Sequence, residues 1–422
     1  MSKKIISFGK YITMRFNKKM LYLIVICIAI LTSTYVNPIN SSIKTSDFIS
    51  ENSSENLSII LMIGDGMGYE HIKLARLIEV GNNQNLTMET LPTNLSVVTK
   101  SANSAITDSA AAATAMATGQ KTNNGYLGIS PSREILENII EFIHQYNRAT
   151  GIISTMPISH ATPAGFMVHV DSRYKTNEIV DQIIDSGVDI LLGGGFADFS
   201  EANLTTMESQ GYTLVTNRSE LLQTSSNKIL GLFADSTLPE EQYRDFSIIP
   251  SLSEMTEKAI EQLSQHPNGF FLMVEGGQID YGGHDNDKTY VALETIAFDY
   301  AVKTALHYVE AHENTILIVT ADHETGGLSI VSNSLNNTLP SSFETEEEKR
   351  NIRIARADQI EVDWETGDHT AKNVPFYAYG NAFENISSGL VIDNTDIYNI
   401  MKNYFLHLKN PKLINIDKIQ TV

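Results

Sequence analysis

Short apolar runs that end in glycine or polar residues recur along the sequence, and they constrain the fold more than any other feature. Each run has the length of a strand and is apolar throughout, which is typical of strands buried on both faces. Stretches with helical character lie between several runs, at 132–146 and 290–312. The sequence therefore predicts an α/β fold, with a mostly parallel central sheet and helices on both faces. The runs are LSIILMIG (57–64), TGIISTM (150–156), DILLGGG (189–195), GFFLMVEGG (269–277) and NTILIVTADH (314–323).

The amino-terminal region differs from the rest of the chain in charge and polarity. Residues 1–19 carry six basic residues and no acid, and 20–36 (MLYLIVICIAILTSTYV) are uncharged and mainly apolar. This pattern predicts either a signal peptide or an uncleaved membrane anchor with its basic end in the cytoplasm. Residues 37–56 are polar and predict a flexible linker. Both alternatives place the body of the protein outside the cytoplasm, in the periplasm, at the cell surface or secreted.

The body of the protein is acidic and carries no cysteine pair. The formal net charge of the chain is −20, and its basic residues are concentrated at the amino terminus. An acidic body lacks the basic footprint that nucleic-acid binding requires, so no nucleic-acid partner is expected. Cys27 is the only cysteine, so the body has no disulfide. We expect one catalytic domain over 57–410, with an exposed polar excursion at about 331–362 and a tail at 411–422.

Residues that commonly bind metals form four clusters at the ends of predicted strands. Because parallel strands place their carboxyl ends at one edge of a sheet, these side chains are expected to lie together. Mixed histidine and carboxylate ligands suit Zn²⁺, whereas oxygen ligands alone suit Mg²⁺. The clusters are IGDGMG (63–68) with Asp65, VEGGQIDYGGH (274–284) with Glu275, Asp280 and His284, TADHE (320–324) with Asp322 and His323, and GDHTA (367–371) with His369.

Several longer motifs resemble the alkaline phosphatase family. They occur in the family's usual order and spacing and span most of 57–405. The resemblance implies a single three-layer sandwich of the alkaline phosphatase type, a metal-dependent phosphomonoesterase activity, three metals and a serine nucleophile. The motifs are GDGMG, TDSAAAATAMATG, SHATPAGF, VEGGQID with its following histidine, TADHETGG, and GDHTA before VPFYAYG.

The resemblance also implies a role for individual residues. Arg173 matches the arginine that clamps two phosphate oxygens, and Asp108 matches the carboxylate that orients it. The expected cofactors are two Zn²⁺ and one Mg²⁺. The first zinc site corresponds to Asp280, His284 and His369, the second to Asp65, Ser109, Asp322 and His323, and the third, magnesium site to Asp65, Thr162 and Glu275.

Two positions depart from the best-studied bacterial pattern. His160 stands where those enzymes have an aspartate near the third metal, and a histidine there could bind directly and favour Zn²⁺ over Mg²⁺. Tyr281 stands where family members often carry a lysine, histidine or tryptophan beside the phosphate. These differences concern the third metal and the affinity for phosphate rather than the reaction class.

The segment AITDSAAAATAMATG (105–119) combines a helix start with the expected nucleophile. Asp108 suits the N-cap of a helix over 110–117, whose amino terminus would favour negative charge on Ser109. The resemblance implies that Ser109 attacks phosphorus and forms a phosphoserine intermediate. The expected substrates are small phosphomonoesters.

Two other functions remain open from the sequence alone. A phosphodiesterase or sulfatase of the same superfold is one, although those enzymes usually carry threonine or a modified cysteine in place of Ser109. The other is a surface protein that binds metal or phosphate without turnover, but no expected ligand is missing. The resemblance also suggests a homodimer, and a membrane would be a partner if 20–36 is not cleaved.

Overall fold

A ten-stranded sheet forms the centre of the protein in the computed structural model, which describes residues 56–406 apart from 336–337, 342–343, 385 and 387. Its order is β14-β2-β13-β8-β1-β7-β3-β4-β6-β5, and within this sheet only β13 runs against its neighbours. The strands are β1 (Ser58–Gly64), β2 (Thr93–Val98), β3 (Ala149–Pro157), β4 (Ile190–Gly194), β5 (Thr213–Val215), β6 (Ile229–Leu232), β7 (Phe270–Gly276), β8 (Thr315–Ala321), β9 (Glu324–Thr325), β10 (Ser329–Asn333), β11 (Ile360–Asp363), β12 (His369–Thr370), β13 (Val374–Tyr379) and β14 (Val391–Asp393).

Helices cover the sheet. Every residue of β1, β7 and β8 is buried, as expected for strands packed on both faces. Among the helices, α1, α8 and α10 form one packed group, and α2, α4 and α12 form another. The helices are α1 (Tyr69–Glu79), α2 (Ser109–Thr118), α3 (Ile139–His144), α4 (Ala161–Gly165), α5 (Thr176–Asp185), α6 (Glu201–Ser209), α7 (Arg218–Gln223), α8 (Leu252–Leu263), α9 (Gln278–His284), α10 (Lys288–Glu310), α11 (Glu346–Ala357) and α12 (Asn394–Phe405). The predicted α/β fold is confirmed.

The register of the central strands places their carboxyl ends side by side. Gly64, the last residue of β1, pairs with Gly276 of β7 and with Ala321 of β8. Asp65 and Asp322 directly follow two of these strands, and Glu275 is the penultimate residue of β7. Three carboxylates are therefore brought to one edge by strand pairing alone.

The antiparallel strand β13 brings a further segment to the same edge. Because β13 runs against β8, its first residues lie near the carboxyl end of β8. The chain just before β13 forms β12, in which His369 pairs with Thr325 of β9. His369 thus reaches the edge from a direction opposite to that of the parallel strands.

Helix α2 begins and packs as its sequence predicts. The side chain of Asp108 accepts a hydrogen bond from the backbone N–H of Ala111 at 3.0 Å, which caps the helix. All ten helical residues are buried, because their small side chains allow a close approach to α4. A Cβ added at Gly165 of α4 would lie 2.7 Å from that of Ala113. This packing fixes the start of α2, and with it Ser109, beneath the sheet edge.

The helix predicted over 132–146 is shorter in the structure. Only α3 within that stretch is helical, and the residues before it form a turn in which Arg133 adopts a φ of 67°. Asn138 begins α3 as an N-cap, accepting from the N–H of Glu141 at 3.0 Å while the Glu141 side chain bonds back. The apolar pattern of 132–146 runs through both the turn and α3. The pattern alone therefore did not show that the helix begins only after Asn138. The helix predicted over 290–312 corresponds to α10.

The polar excursion at about 331–362 contains helix α11, and part of it is buried. Arg353 forms an ion pair with Glu79 at 2.6 Å, and Arg356 donates to the carbonyl groups of Leu77 and Ile78. These contacts attach α11 to the end of α1. The limits of the domain and of the excursion stay a prediction.

The predicted signal peptide or anchor at 20–36 lies outside the described residues. Within the residues that the structure describes, no helix combines the length and apolar character needed to cross a membrane.

We expect the stability contributed by His169 to depend on pH. Its Nδ1 lies 2.7 Å from the carbonyl oxygen of Gly128 and its Nε2 lies 2.9 Å from a carboxylate oxygen of Glu141. Although burial lowers the pKa of His169, the hydrogen bond to Glu141 raises it overall. The stabilisation is therefore complete below about pH 6.5 and is lost as pH rises through the raised pKa.

Thermal unfolding of wild type and His169→Gln at pH 6 and pH 9 measures this contribution. The difference between the proteins should be larger at pH 6, by less than about 1 kcal/mol because Glu141 is partly exposed. Glu141→Gln should likewise reduce the part of the stability that depends on pH. A difference that grows toward pH 9 would contradict the proposed ion pair.

Candidate metal centre and nucleophile

The loop after β1 places Asp65 at the centre of the site. Asp65 is fully buried, and the N–H of the next residue, Gly66, donates to Asp322 at 3.0 Å. A Cβ on Gly66 would come within 2.8 Å of Asp280 and of the Thr325 hydroxyl, and its φ is 71°. Only glycine therefore lets the Asp65 loop approach the neighbouring side chains so closely.

The first group of ligand-type atoms comes from α9 and β12. Asp280 and His284 lie one helical turn apart, with Nε2 of His284 3.4 Å from a carboxylate oxygen of Asp280. Nε2 of His369 lies 3.2 Å from Nε2 of His284 and 3.6 Å from Asp280. Three side chains from two separate segments thus converge on one point.

The hydrogen bonds of Nδ1 in His284 and His369 determine which ring nitrogen of each histidine faces this point. Nδ1 of His284 lies 2.7 Å from the carbonyl oxygen of Gly367, and Nδ1 of His369 lies 2.9 Å from that of Thr107. Each Nδ1 therefore donates its proton to a carbonyl, which leaves both Nε2 lone pairs directed at each other. Two lone pairs at 3.2 Å repel unless a cation or a proton lies between them. Without a cation, a proton takes this place: the hydrogen bond from Nε2 to Asp280 raises the pKa of His284 to about 9.

The second group surrounds Ser109. Nε2 of His323 lies 3.3 Å from carboxylate oxygens of both Asp65 and Asp322 and 3.2 Å from the hydroxyl oxygen of Ser109. All four side chains are buried. Burial and the neighbouring carboxylates raise the pKa of Asp65, and burial raises that of Asp322 to about 6. Burial lowers the pKa of His323.

The third group lies on the other side of Asp65. Asp65, His160 and Glu275 place ligand-type atoms within 4.8 Å of one another. The hydroxyl of Thr162 lies 3.5 Å from the second carboxylate oxygen of Asp65. Burial raises the pKa of Glu275 to about 7, although the hydroxyl of Ser154 donates a hydrogen bond to it. Asp65 is thus shared between the second and third groups.

Unpartnered buried atoms in the second and third groups show that these groups suit cations. A buried carboxylate without a partner costs several kcal/mol. Mixed histidine and carboxylate atoms are suitable ligands for divalent metals. The residues present therefore fit bound metal ions. Among the described residues, the buried atoms with no hydrogen-bond partner include Oδ1 of Asp65, Nδ1 of His160, Oε1 of Glu275 and Oδ2 of Asp322.

Asp108 connects the nucleophile helix to Arg173. One carboxylate oxygen of Asp108 caps α2, and the other accepts from Nη1 of Arg173 at 3.2 Å and from the N–H of Gly125 at 3.0 Å. Nη2 of Arg173 lies 3.2 Å from Nε2 of His160. Burial lowers the pKa of Arg173, but the charges of Asp108 and Asp65 raise it overall. The guanidinium is therefore charged and is held from two sides.

The ring of Tyr281 lies at the rim of the site. It is 39% exposed and packs edge-on against His160, with the ring centroids 6.5 Å apart. All the other side chains that the sequence proposed for the site fall within the three groups or beside Ser109 and Arg173.

Two residues were not singled out from the sequence. The hydroxyl of Thr325 contacts Asp280 of the first group and lies 3.2 Å from Nδ1 of His323 in the second. The hydroxyl of Ser154, a residue of β3, donates a hydrogen bond to Glu275. Thr325 lies within the motif TADHETGG, so its position after His323 was a usable signal. Nothing in the sequence around Ser154 indicates its contact.

We expect metal removal to destabilise the protein more at high pH than at low pH. The folded-state pKa values of Glu275 and Asp322, about 7 and about 6, lie above the ordinary carboxyl values near 4. The metal-free folded protein therefore loses stability as pH rises from about 4 through these values, because the carboxyl groups must ionise against burial. Bound cations remove this penalty.

Melting temperatures with metal and with chelator at pH 5 and pH 8 test this expectation. The gap between the two forms should be wider at pH 8 by about 5 °C or more. Glu275→Gln should reduce the difference between the melting-temperature gap at pH 8 and the gap at pH 5. Glu294→Gln is the matched control, since Glu294 is a buried carboxyl outside the site with a pKa raised to about 8 by burial. An equal gap at both pH values would contradict the expectation.

Comparison with known proteins agrees with this geometry. The family model for alkaline phosphatase matches residues 56–351. Alkaline phosphatase 3 of Bacillus subtilis (strain 168) is 31% identical, with 86% of this chain and 91% of the relative covered.

Solved structures give the same result for the fold. The cold-active alkaline phosphatase from the psychrophile Shewanella sp. superposes with a TM-score of 0.73 at 29% identity, covering 83% of this chain and 100% of that one. A variant of the TAB5 alkaline phosphatase, with a histidine replaced by aspartate, holds Mg in a site termed M3. It superposes with a TM-score of 0.69 at 29% identity, covering 83% of this chain and 97% of that one. The chain therefore belongs to the alkaline phosphatase family and is a metal-dependent phosphomonoester hydrolase.

Proposed function

We propose that this hydrolase transfers the phosphoryl group of its substrate first to Ser109 and then to water, releasing inorganic phosphate. The observation that carries this proposal is the position of the Ser109 hydroxyl oxygen, 3.2 Å from Nε2 of His323 and at the first residue of α2. The start of α2 directs backbone N–H groups and the positive end of the helix dipole toward that oxygen. Both features favour the negative charge of an ionised serine and of a phosphoserine.

We assign two Zn²⁺ to the first and second groups and one Mg²⁺ to the third. The first group supplies Asp280, His284 and His369, a mixed set that suits zinc. The second supplies Asp65, Asp322 and His323 beside Ser109. The third offers oxygen atoms from Asp65, Glu275 and Thr162, which suit magnesium. A variant of a related enzyme, in which aspartate replaces a histidine, holds Mg in its M3 site. When bound, the cations supply Lewis acidity and neutralise charge on the attacking and leaving oxygens.

The residues of the chain orient the reaction. Ser109 Oγ gives up its proton to solvent and attacks phosphorus, and the bond from phosphorus to the alcohol oxygen breaks. The alcohol leaves after taking up a proton from water. Arg173 donates hydrogen bonds to two phosphoryl oxygens. Its planar array of donors matches the charge of these oxygens. Asp108 holds Arg173 in position through Nη1. Water then attacks from the vacated side, the bond between phosphorus and Ser109 Oγ breaks, and phosphate leaves.

The acidic surface of the chain does not prevent anionic substrates from binding. Cations in the three groups together with Arg173 would outweigh the buried carboxylates Asp65, Glu275, Asp280 and Asp322 locally. The charges on the distant surface are screened by salt beyond about 10 Å.

We also propose an extracytoplasmic location for this enzyme, with residues 20–36 acting either as a cleaved signal or as an anchor. The support is the basic amino terminus followed by an uncharged apolar segment. A homodimer is proposed from the family resemblance alone.

Replacement of the nucleophile tests the phosphoserine. Ser109→Ala should lower kcat for p-nitrophenyl phosphate by about 10³-fold or more, because no covalent intermediate can form. The metal content should remain, since the aspartates and histidines are unchanged. Ser253→Ala is the matched control, a serine in the first turn of α8 that lies outside the site. Full activity of Ser109→Ala, or the absence of acid-trapped phosphoenzyme in wild type, would refute the intermediate.

The range of substrates tests the preference for monoesters. With zinc and magnesium supplied, p-nitrophenyl phosphate should be hydrolysed faster than its bis-ester and sulfate analogues. The reason is that Arg173 and three cations match the charge of a phosphate dianion better than that of a monoanion. Faster hydrolysis of either analogue would contradict this preference.

A further inference from the structure

We propose that Gln278 is a positioning residue for the metal of the first group. Its side chain sets the rotation of α9, the helix that presents Asp280 and His284. The inference rests on the proposed function, since it concerns the cation that the first group holds. It assigns to one buried amide the task of keeping both ligands of α9 aligned with His369.

The chain between β7 and α9 contains few groups that can hold the helix in place. Two glycines follow Glu275, and the second of them begins α9 without a side-chain cap. Of the residues between Glu275 and Asp280, only Gln278 has a polar side chain, and Ile279 is apolar and fully buried. A hydrogen-bonded anchor for the start of α9 must therefore come from Gln278 or from the backbone.

The amide of Gln278 is buried and uses both of its ends. Nε2 donates to the carbonyl oxygen of Leu238 at 2.8 Å, and Oε1 accepts from the hydroxyl of Tyr290 at 2.7 Å. Exchanging the two ends of the amide would place Oε1 against the carbonyl oxygen of Leu238, where two acceptors repel. The orientation of the amide is therefore fixed by its surroundings.

These contacts connect α9 to two neighbouring parts of the fold. Tyr290 belongs to α10, so one hydrogen bond joins the two helices. Leu238 donates its own N–H to the carbonyl oxygen of Thr155 in β3 at 3.0 Å, and the hydroxyl of Thr155 accepts from the N–H of Gly277 at 2.9 Å. Thr155, Leu238 and the start of α9 thus form a closed ring of three hydrogen bonds.

Gln278 holds α9 from the side opposite to the ligands. At 3.6 residues per turn, Asp280 and His284 lie about 200° and about 240° around the helix from Gln278. Both ligands therefore share one face of α9, and Gln278 lies on the other. An anchor in this position controls the rotation of the helix about its axis without occupying the site.

A small rotation of α9 would move both ligands together. Side-chain atoms lie about 5 Å from the axis of a helix, so a rotation of about 10° displaces them by about 1 Å. Metal–ligand distances tolerate a deviation of only about 0.2 Å. His369 cannot follow the rotation, because it reaches the site on β12. The metal affinity of the first group is therefore expected to depend on Gln278.

Replacement of Gln278 tests this dependence. Gln278→Met keeps the size and flexibility of the side chain but removes both hydrogen bonds. Zinc binding by metal-free protein, measured in competition with a graded series of chelators, should weaken by about 10- to 100-fold in the first group. The step lost in His369→Ala identifies the first group, and the step lost in His323→Ala identifies the second. The affinity of the second group, whose ligands lie on other segments, should be unchanged.

Tyr290→Phe is a smaller change that isolates one of the two hydrogen bonds. It leaves Oε1 of Gln278 without its donor, so the affinity of the first group for zinc should fall by about 3- to 10-fold. The double variant should bind zinc no more weakly than Gln278→Met alone, because Tyr290 acts through Gln278. Additive losses in the double variant would overturn the inference.

Activity at limiting zinc distinguishes positioning from general damage to the fold. Gln278→Met should hydrolyse p-nitrophenyl phosphate slowly when zinc is limiting and should recover most of the wild-type kcat in excess zinc. The reason is that mass action refills a weakened site. A low kcat that excess zinc does not restore would argue for general damage and against the inference.

Matched control variants remove comparable groups elsewhere in the protein. Gln262→Met changes a buried glutamine of α8, and Tyr212→Phe removes a buried hydroxyl that donates to the carbonyl oxygen of Val188 at 2.5 Å. Both variants should bind zinc as wild type does.

Two negative results have different meanings. An unchanged affinity of the first group in Gln278→Met overturns the inference alone and leaves the proposed function standing. If His369→Ala instead retains every zinc-binding step of wild type, the assignment of zinc to the first group fails, and the inference fails with it.

Discussion

The cost of burying several carboxylates side by side is the constraint on which the rest of this structure depends. Asp65, Glu275, Asp280 and Asp322 are all nearly or fully withdrawn from water at one edge of the sheet. Burial raises the pKa of Asp65, Glu275 and Asp322, so these three resist ionisation without a partner. Positive charge must offset this cost, and the site is arranged to receive it. The Nε2 atoms of His284 and His369, which face one another in the first group, express the same requirement.

A rigid scaffold is needed to hold like charges together. The strands β1, β7 and β8 are buried throughout and paired in register, so their carboxyl ends cannot separate without breaking the sheet. The hydroxyl of Thr325 adds a contact between the first and second groups. Asp108 serves in two ways, as the cap of α2 and as an anchor of Arg173, so the nucleophile and the phosphate-binding residue are positioned together.

Much of the fold was predictable from local pattern. The continuous apolar runs correspond to β1, β3, β4, β7 and β8, because strands buried on both faces need no polar alternation. The helix predicted over 132–146 was too long, since Asn138 caps α3 and the chain turns at Arg133. The candidate ligands were recognisable because short motifs keep their residue types together. The contacts of Ser154 and Thr325 were missed, as each joins residues from different strands or helices.

The sequence by itself determined the residue types of the site, the family resemblance and the alternation of strands and helices, because these depend on short-range order along the chain. Only the tertiary structure decided how the ligands group. His369 joins Asp280 and His284 because β13 runs antiparallel to β8, and Asp65 is shared because β1 lies between β7 and β8. It also decided that Nε2 of His160 faces Arg173. Which partner receives a lone pair depends on distances of a few ångströms between residues remote in sequence, and such distances exist only once the chain is folded.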